Sequence, residues 1–147
     1  MTTLRAATLA ALQADSTLSG LATVITDANA LGKGWLELAD VQTGSDPTVQ
    51  PTVFVRWTTD EPRGSAEFGG HIAMCEVWFY TARSYETIRQ MREAVRAVLD
   101  EQTLAFDEPS DDYLGFFRWA GTLKEQIDDS LGGAFCERDR YAGYMVR

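Results

Sequence analysis

The sequence contains few of the side chains that most often bind metals or act as nucleophiles. Its 147 residues include one histidine, His71, and two cysteines, Cys75 and Cys136. A single histidine excludes a three-histidine metal site within one chain, and the two cysteines form no C-x-x-C pair of the kind that indicates a zinc or redox motif. We therefore expect two free, buried thiols in a reducing cytoplasm.

Long apolar runs and an excess of positive charge are also missing. No stretch approaches the roughly 20 apolar residues of a membrane span, and residues 1–16 become polar too early for a secretory signal. The chain has 22 acidic and 13 basic residues, which gives a net charge of −9. This charge disfavours a protein that grips nucleic-acid phosphates, so we expect a soluble protein that acts neither at a membrane nor by binding DNA.

Turn-forming residues divide the first third of the chain into short segments. The apolar spacing within residues 3–13 predicts an N-terminal helix, whereas the apolar run at 21–25 fits a strand or a helical turn equally well. Residues 26–50 contain several Gly and Asp residues, together with Asn29, Ser45 and Pro47. We expect them to form a long loop.

Two segments rich in β-branched and aromatic residues follow, at 52–59 and 71–81. They predict an antiparallel hairpin whose connecting loop covers residues 60–70. Hairpin loops usually have two to five residues, and longer loops often carry function or contact a neighbour. The 60–70 loop is therefore a candidate contact region.

The most regular helical pattern lies in residues 85–101. Ser84 is suited to cap the start of this helix, and apolar residues recur around Val95 at spacings of three and four. The opposite side carries charged residues, among them Arg89 and Glu93, at spacings that pair opposite charges. We expect that side to face water or a polar partner.

Two further strands are predicted at 114–124 and 134–146, after an acidic connector at 107–112. The element order predicts an α+β fold in which two hairpins form an antiparallel sheet. The long amphipathic helix and the N-terminal helix pack on one face of that sheet. Residues 1–147 are expected to form one domain, with long loops at 26–50 and 60–70.

No motif for catalysis or cofactor binding is present in the sequence. The glycine pairs lack the spacing of a phosphate-binding loop, and the acidic segments at 107–112 and 128–129 lack the alternation of a calcium-binding loop. We expect no enzyme activity, metal or cofactor. The alternative is a small enzyme or ligand-binding domain that uses Glu76 or Asp112 as an acid–base group.

Arginine and tyrosine side chains interleave in the C-terminal strand of this otherwise acidic chain. These residue types often anchor protein interfaces, although an edge strand protected by charge has the same pattern. Further candidates come from the 60–70 loop and the exposed side of the long helix. The candidate interface residues are Arg63, Phe68, Arg89, Glu93, Arg138, Arg140, Tyr141, Tyr144 and Arg147.

The sequence resembles the tail terminator proteins of long-tailed bacteriophages, also called tail-completion or tail-to-head joining proteins. The resemblance rests on Pro51 before the first hairpin, the strand segment CEVWFY at 75–80, the step TARS at 81–84 into the helix at 85–99, and the closing residues YMVR at 144–147. With the N-terminal helix, these features extend over most of the chain.

The resemblance implies a homo-oligomeric ring, expected to be a hexamer, that caps the tail tube, ends its polymerisation and presents a surface to the head–tail connector or stopper protein. It implies no catalytic residues. DNA would pass through the channel without specific binding, in agreement with the acidity of the chain. The implied location is the tail or neck of the virion, assembled in the host cytoplasm. The alternative is another neck component, a stopper or head-completion protein.

Overall fold

The structure is a computed structural model that describes residues 4–43, 45–62, 71–107 and 112–146. Within these ranges the chain forms helices, strands and two 3₁₀ turns. The helices are α1 (Leu4–Ala14), α2 (Ser16–Leu21), α3 (Ala28–Leu31) and α4 (Tyr85–Leu99). The strands are β1 (Val24–Asp27), β2 (Thr52–Pro62), β3 (His71–Thr81), β4 (Thr103–Asp107), β5 (Asp112–Asp128) and β6 (Ala134–Val146), and the 3₁₀ turns are Leu38–Asp40 and Asp129–Leu131.

The strands form one sheet in the order β1-β2-β3-β6-β5-β4. β1 runs parallel to β2, and the other neighbouring strands are antiparallel. The predicted α+β fold is confirmed, and the sheet is mixed because β1 joins its edge. The sequence pattern did not resolve β1 or β4, since strands of four and five residues are too short to show a period.

The position of β6 corrects one alternative drawn from the sequence. β6 lies between β3 and β5, bonded to both, and is therefore an inner strand of the sheet. The interpretation of its charges as protection for a sheet edge is wrong. The charged side chains of β6 project from the two faces of the sheet instead, because successive strand residues point to opposite sides.

Helices α1, α2 and α4 cover one face of the sheet, called here the covered face. The apolar stripe predicted for α4 is confirmed, with Ile88, Val95 and Leu99 fully buried against residues of the sheet such as Val53. Burial of each such side chain contributes roughly 1.5–3 kcal/mol to folding. Ser84 caps α4 as predicted, because its side chain accepts a bond from the backbone N–H of Thr87 at 3.1 Å.

The segment 28–50 folds back over part of the opposite face of the sheet, called here the open face. Leu36, Val41 and Val49 of this segment are buried in a second apolar cluster with Phe54 and Tyr80 of the sheet. The segment also contains α3 and a 3₁₀ turn. Outside β1, α3 and the 3₁₀ turn, the described residues of 26–50 form no helix or strand, and the apolar side chains of this long loop pack on the sheet.

The bounds of two further predicted segments, the 60–70 loop and the 107–112 connector, differ from those in the structure. β2 continues to Pro62, beyond the predicted start of the 60–70 loop, and residues 63–70 of that loop lie outside the described residues. The segment 107–112 was predicted as a connector, but Asp107 ends β4 and pairs in register with Asp112, the first residue of β5. These acidic residues therefore flank a second hairpin connection.

Candidate functional site

Strand β6 sorts its charged side chains by sign between the two faces of the sheet. Its sequence alternates acid and base from Glu137 to Arg140. Glu137 and Asp139 point toward α4, whereas Arg138 and Arg140 point to the open face, as the period of two requires. The strand therefore contributes carboxylates to one face and guanidinium groups to the other.

On the covered face, the carboxylates hold one arginine of α4. The guanidinium of Arg92 donates to Asp139 at 3.1 Å, to Glu137 at 3.1 Å and to Thr122 at 3.0 Å. The Arg92, Glu137 and Asp139 side chains are 13%, 6% and 1% exposed. Burial by itself lowers the pKa of Arg92, but the bonds to Asp139 and the charges of both carboxylates raise it above its ordinary value. This cluster fastens α4 to the sheet.

On the open face, one carboxylate holds two arginines. Glu76 is buried, and its two oxygens accept bonds from Arg56 at 3.1 Å and from Arg138 at 3.2 Å. Both oxygens of Glu76 are thus occupied by structural partners, which argues against the acid–base role considered for it. The side chain of Asp112, the other candidate, lies outside what the structure describes.

Two more arginines extend this group across the open face. Arg140 lies opposite Glu76 in the β3–β6 register, and Arg118 of β5 lies opposite Ala142, two residues further along β6. Both arginines are exposed. Neither forms an ion pair with another side chain among the described residues. We call Arg56, Arg118, Arg138 and Arg140, together with Glu76 between them, the arginine band.

Aromatic side chains lie next to the arginine band. Arg138 lies over the ring of Trp78, 5.9 Å from its centre, and Arg118 lies over Phe116 at 5.9 Å. At the rim, Arg56 donates to the carbonyl of Gly34 at 3.3 Å, and the next residue, Trp35, is 61% exposed. Arginine and large aromatic groups at one surface are typical of protein interfaces.

The structure divides the predicted interface residues between two surfaces. Arg138, Arg140 and Tyr144 share the open face, since they are alternate residues of β6. Arg89 and Glu93 lie on the exposed side of α4, across the sheet, where Arg89 pairs with Glu86. Arg63, Phe68 and Arg147 lie outside the described residues.

The structure corrects the prediction that Tyr141 is an interface residue. Its side chain is fully buried in the core on the covered face, together with Phe117 and Val95. The ring points inward because Tyr141 follows Arg140 on an inner strand. It packs the core of this chain and is not available at a surface.

Both cysteines are free and buried, as the sequence predicted. Burial raises the pKa of the Cys75 thiol to about 12 and that of Cys136 to about 11. Within the described ranges, no three His, Cys, Asp or Glu side chains are grouped so that they could hold a metal ion. None of the described helices is long and apolar enough to cross a membrane.

Comparison with known proteins gives a likeness of fold. No family model matches the chain, and no curated protein matches it. Among solved structures, a chain in the virion of a native gene transfer agent (GTA) particle has a similar fold, with a TM-score of 0.64 and 15% sequence identity. The similarity covers 98% of this chain and 95% of that chain. The two chains therefore share one architecture over nearly their whole length.

Proposed function

We propose that this chain is a structural protein of a phage-like virion, and specifically a tail terminator. The supporting observation is the fold shared with a chain of a gene transfer agent virion over 98% of this chain and 95% of that one. Coverage this complete on both sides means that the whole chain, and not a common substructure, has a counterpart in a virion. The resemblance to tail terminator proteins in the sequence supports the more specific role.

In this role the chain assembles into a homo-oligomeric ring, expected to be a hexamer, at the end of the tail tube. The ring stops polymerisation of the tube protein and offers its other side to the head–tail connector or stopper protein. DNA passes through the channel without specific binding. The exposed arginines and Trp35 on the open face support a protein that works through contacts with other chains.

The proposed role requires no catalysis, metal or cofactor. Three groups that enzymes commonly use are occupied or buried in this structure. Glu76 is bound by two arginines, and the thiols of Cys75 and Cys136 are buried with raised pKa values. The thiolate is the nucleophilic form of cysteine, and the raised pKa values keep both thiols protonated near neutral pH, so neither cysteine is suited to that task.

The decisive experiment is assembly with the tail tube protein of the same virion. Light scattering and negative-stain imaging of the purified chain should show rings, and added tube protein should form tubes that stop growing and carry a ring at one end. A chain that stays monomeric at high concentration, alone and with tube protein, would contradict the proposal.

A binding measurement separates the terminator from other neck proteins. Purified tube protein and purified connector protein are each immobilised, and binding of the chain is measured to both. A terminator binds the tube end. Binding to the connector with none to the tube would reassign the chain to the stopper or head-completion class.

A further inference from the structure

The arginine band forms a continuous row across the middle of the sheet. Arg56, Glu76 and Arg140 are consecutive partners in the register of β2, β3 and β6. Neighbouring strands lie about 4.8 Å apart, so these three backbone positions span roughly 10 Å. Arg118 on β5 lies one strand further and is offset by two residues along the sheet, because it is opposite Ala142, so the band reaches across roughly 15 Å. This length is sufficient to contact several side chains of one partner.

The band concentrates positive charge in an acidic protein. Its four guanidinium groups and one carboxylate give it a charge of +3, and since the net charge of the chain is −9, the remaining residues carry −12. The band is therefore opposite in sign to the rest of the chain. Surfaces of opposite charge attract and orient each other when two proteins meet.

Guanidinium groups of the band can also form further hydrogen bonds and ion pairs. Glu76 accepts one bond from Arg56 and one from Arg138, while Arg118 and Arg140 have no carboxylate partner among the described residues. A guanidinium group presents five N–H donors in a planar fork that matches a carboxylate. The ligand chemistry that this surface fits is thus a set of carboxylates.

We propose that the arginine band binds carboxylates on a different surface of a second copy of this chain, in a head-to-tail contact. A two-fold contact in which the band of one copy meets the band of the other would place +3 against +3, which like-charge repulsion opposes. A contact between the band and a different, acidic surface joins opposite charges, and repeated contacts of this kind produce closed rings or open filaments. The inference rests on the proposed function, because it names the face through which the ring assembles.

Nucleic acid is the other partner with suitable chemistry, since guanidinium groups also bind phosphates. The charge distribution favours the protein partner. DNA and a second copy both meet the field of the −12 carried by the rest of the chain. DNA carries a phosphate charge at every nucleotide and is repelled more strongly than a protein copy with a net charge of −9.

The test reverses charge at the two arginines of the band that have no ion-pair partner among the described residues, in the variant Arg118→Glu/Arg140→Glu. The matched control is Arg5→Glu/Lys124→Glu, which changes the net charge equally at exposed positions outside the band. Arg5 also lies over an aromatic ring, Trp57, at 6.0 Å, as Arg118 lies over Phe116. Circular dichroism and thermal melting check that both variants fold.

Light scattering across a range of concentrations and salt then measures self-association. The wild type should form oligomers that weaken as salt rises, because screening reduces attraction between charges. The band variant should associate at least tenfold more weakly than wild type, and the control within about twofold of it. Equal assembly of wild type and band variant would overturn the inference while the proposed ring still stands.

Mixing wild type with the band variant tests the head-to-tail geometry. The variant keeps its acidic surface, so it should join wild-type assemblies at one end and shorten them. A 1:1 complex tighter than wild-type self-association would indicate a two-fold contact and overturn the geometry. A wild type that is monomeric in every condition, with tube protein included, would overturn both the inference and the proposed function. A monomeric wild type that binds a DNA oligonucleotide through the band would replace the second copy with nucleic acid.

Discussion

The two faces of the sheet balance charge in opposite ways. On the covered face, the single guanidinium of Arg92 is surrounded by two buried carboxylates, Glu137 and Asp139. On the open face, the single buried carboxylate of Glu76 holds two arginines whose side chains are 45% and 24% exposed, and two more arginines lie beside them. Surplus positive charge remains only where water or a partner can reach it.

This difference predicts which face serves folding and which, under the proposed function, serves association. Charges buried without a partner cost several kcal/mol, so the cluster under α4 must be satisfied within the chain. Exposed ion pairs contribute little to stability. Substitutions on the covered face should therefore damage the fold, and substitutions on the open face should leave the fold intact and change what the chain binds.

The largest effect is expected for Val95→Asp in the core of the covered face. It places an unpaired charge at a fully buried position, so we expect a loss of more than about 4 kcal/mol and an unfolded chain. Ala97→Asp, at an exposed position in the last turn of the same helix, should cost less than about 2 kcal/mol. Far-UV circular dichroism with urea titration distinguishes the two, and a folded Val95→Asp protein would mean that α4 packs by another face.

A smaller loss is expected for Arg92→Met, which leaves Glu137 and Asp139 buried without their partner. We expect a loss of about 3–5 kcal/mol in the free energy of unfolding. Arg56→Met on the open face should cost less than about 1 kcal/mol, because Arg56 is partly exposed and Arg138 still holds Glu76. Urea unfolding of both variants measures the contrast. Equal losses would show that the two ion clusters do not differ as their burial indicates.

The labelling rates of the two thiols report how readily the structure opens locally on each face of the sheet. Cys75 lies in the core under the helices, whereas Cys136 lies under the 28–50 segment on the open face. We expect Cys136 to react with a thiol reagent about tenfold faster or more, because a surface segment opens locally at lower free energy than a core strand. Pulsed labelling followed by peptide mass analysis gives both rates. Identical rates would indicate that the 28–50 segment opens only when the whole chain unfolds.

The smallest effect on stability is expected for Trp35→Ala. Trp35 is mostly exposed and packs little against its own chain, so unfolding should change by less than about 0.5 kcal/mol. If the rim of the open face contributes to assembly, the same substitution should weaken self-association severalfold. Thermal melting and light scattering on one preparation separate the two effects. A large loss of stability would instead place the Trp35 ring in the core.

The sequence predicted the long elements that have a regular spacing of apolar residues. It missed the elements whose packing depends on residues that are distant in the sequence. The α4 stripe around Val95 and its Ser84 cap were readable because both follow local rules of spacing and capping. The cover formed by residues 28–50 was not readable. Its apolar residues Leu36, Val41 and Val49 stand far apart among turn formers and meet only when the segment folds onto the sheet.

Only part of the candidate site was predictable, because the other part also depends on residues that are distant in the sequence. The arginines of β6 stood out in the sequence, and the alternation of acid and base there could have shown that the two signs face opposite ways. Arg56 and Arg118 join them only through the strand register, which the sequence does not specify. Arg92 was equally hidden, since its carboxylate partners lie 45 and 47 residues away in the chain.

The alternating charges of β6 have a consequence for how the sheet forms. A slip of β6 by one residue against β3 would turn Arg138 and Arg140 toward Arg92, and would bring Glu137 and Asp139 beside Glu76. Like charges would then meet on both faces at once. A misaligned sheet is thus penalised twice, so the alternation helps the chain to select one strand alignment during folding and to reject its nearest competitors.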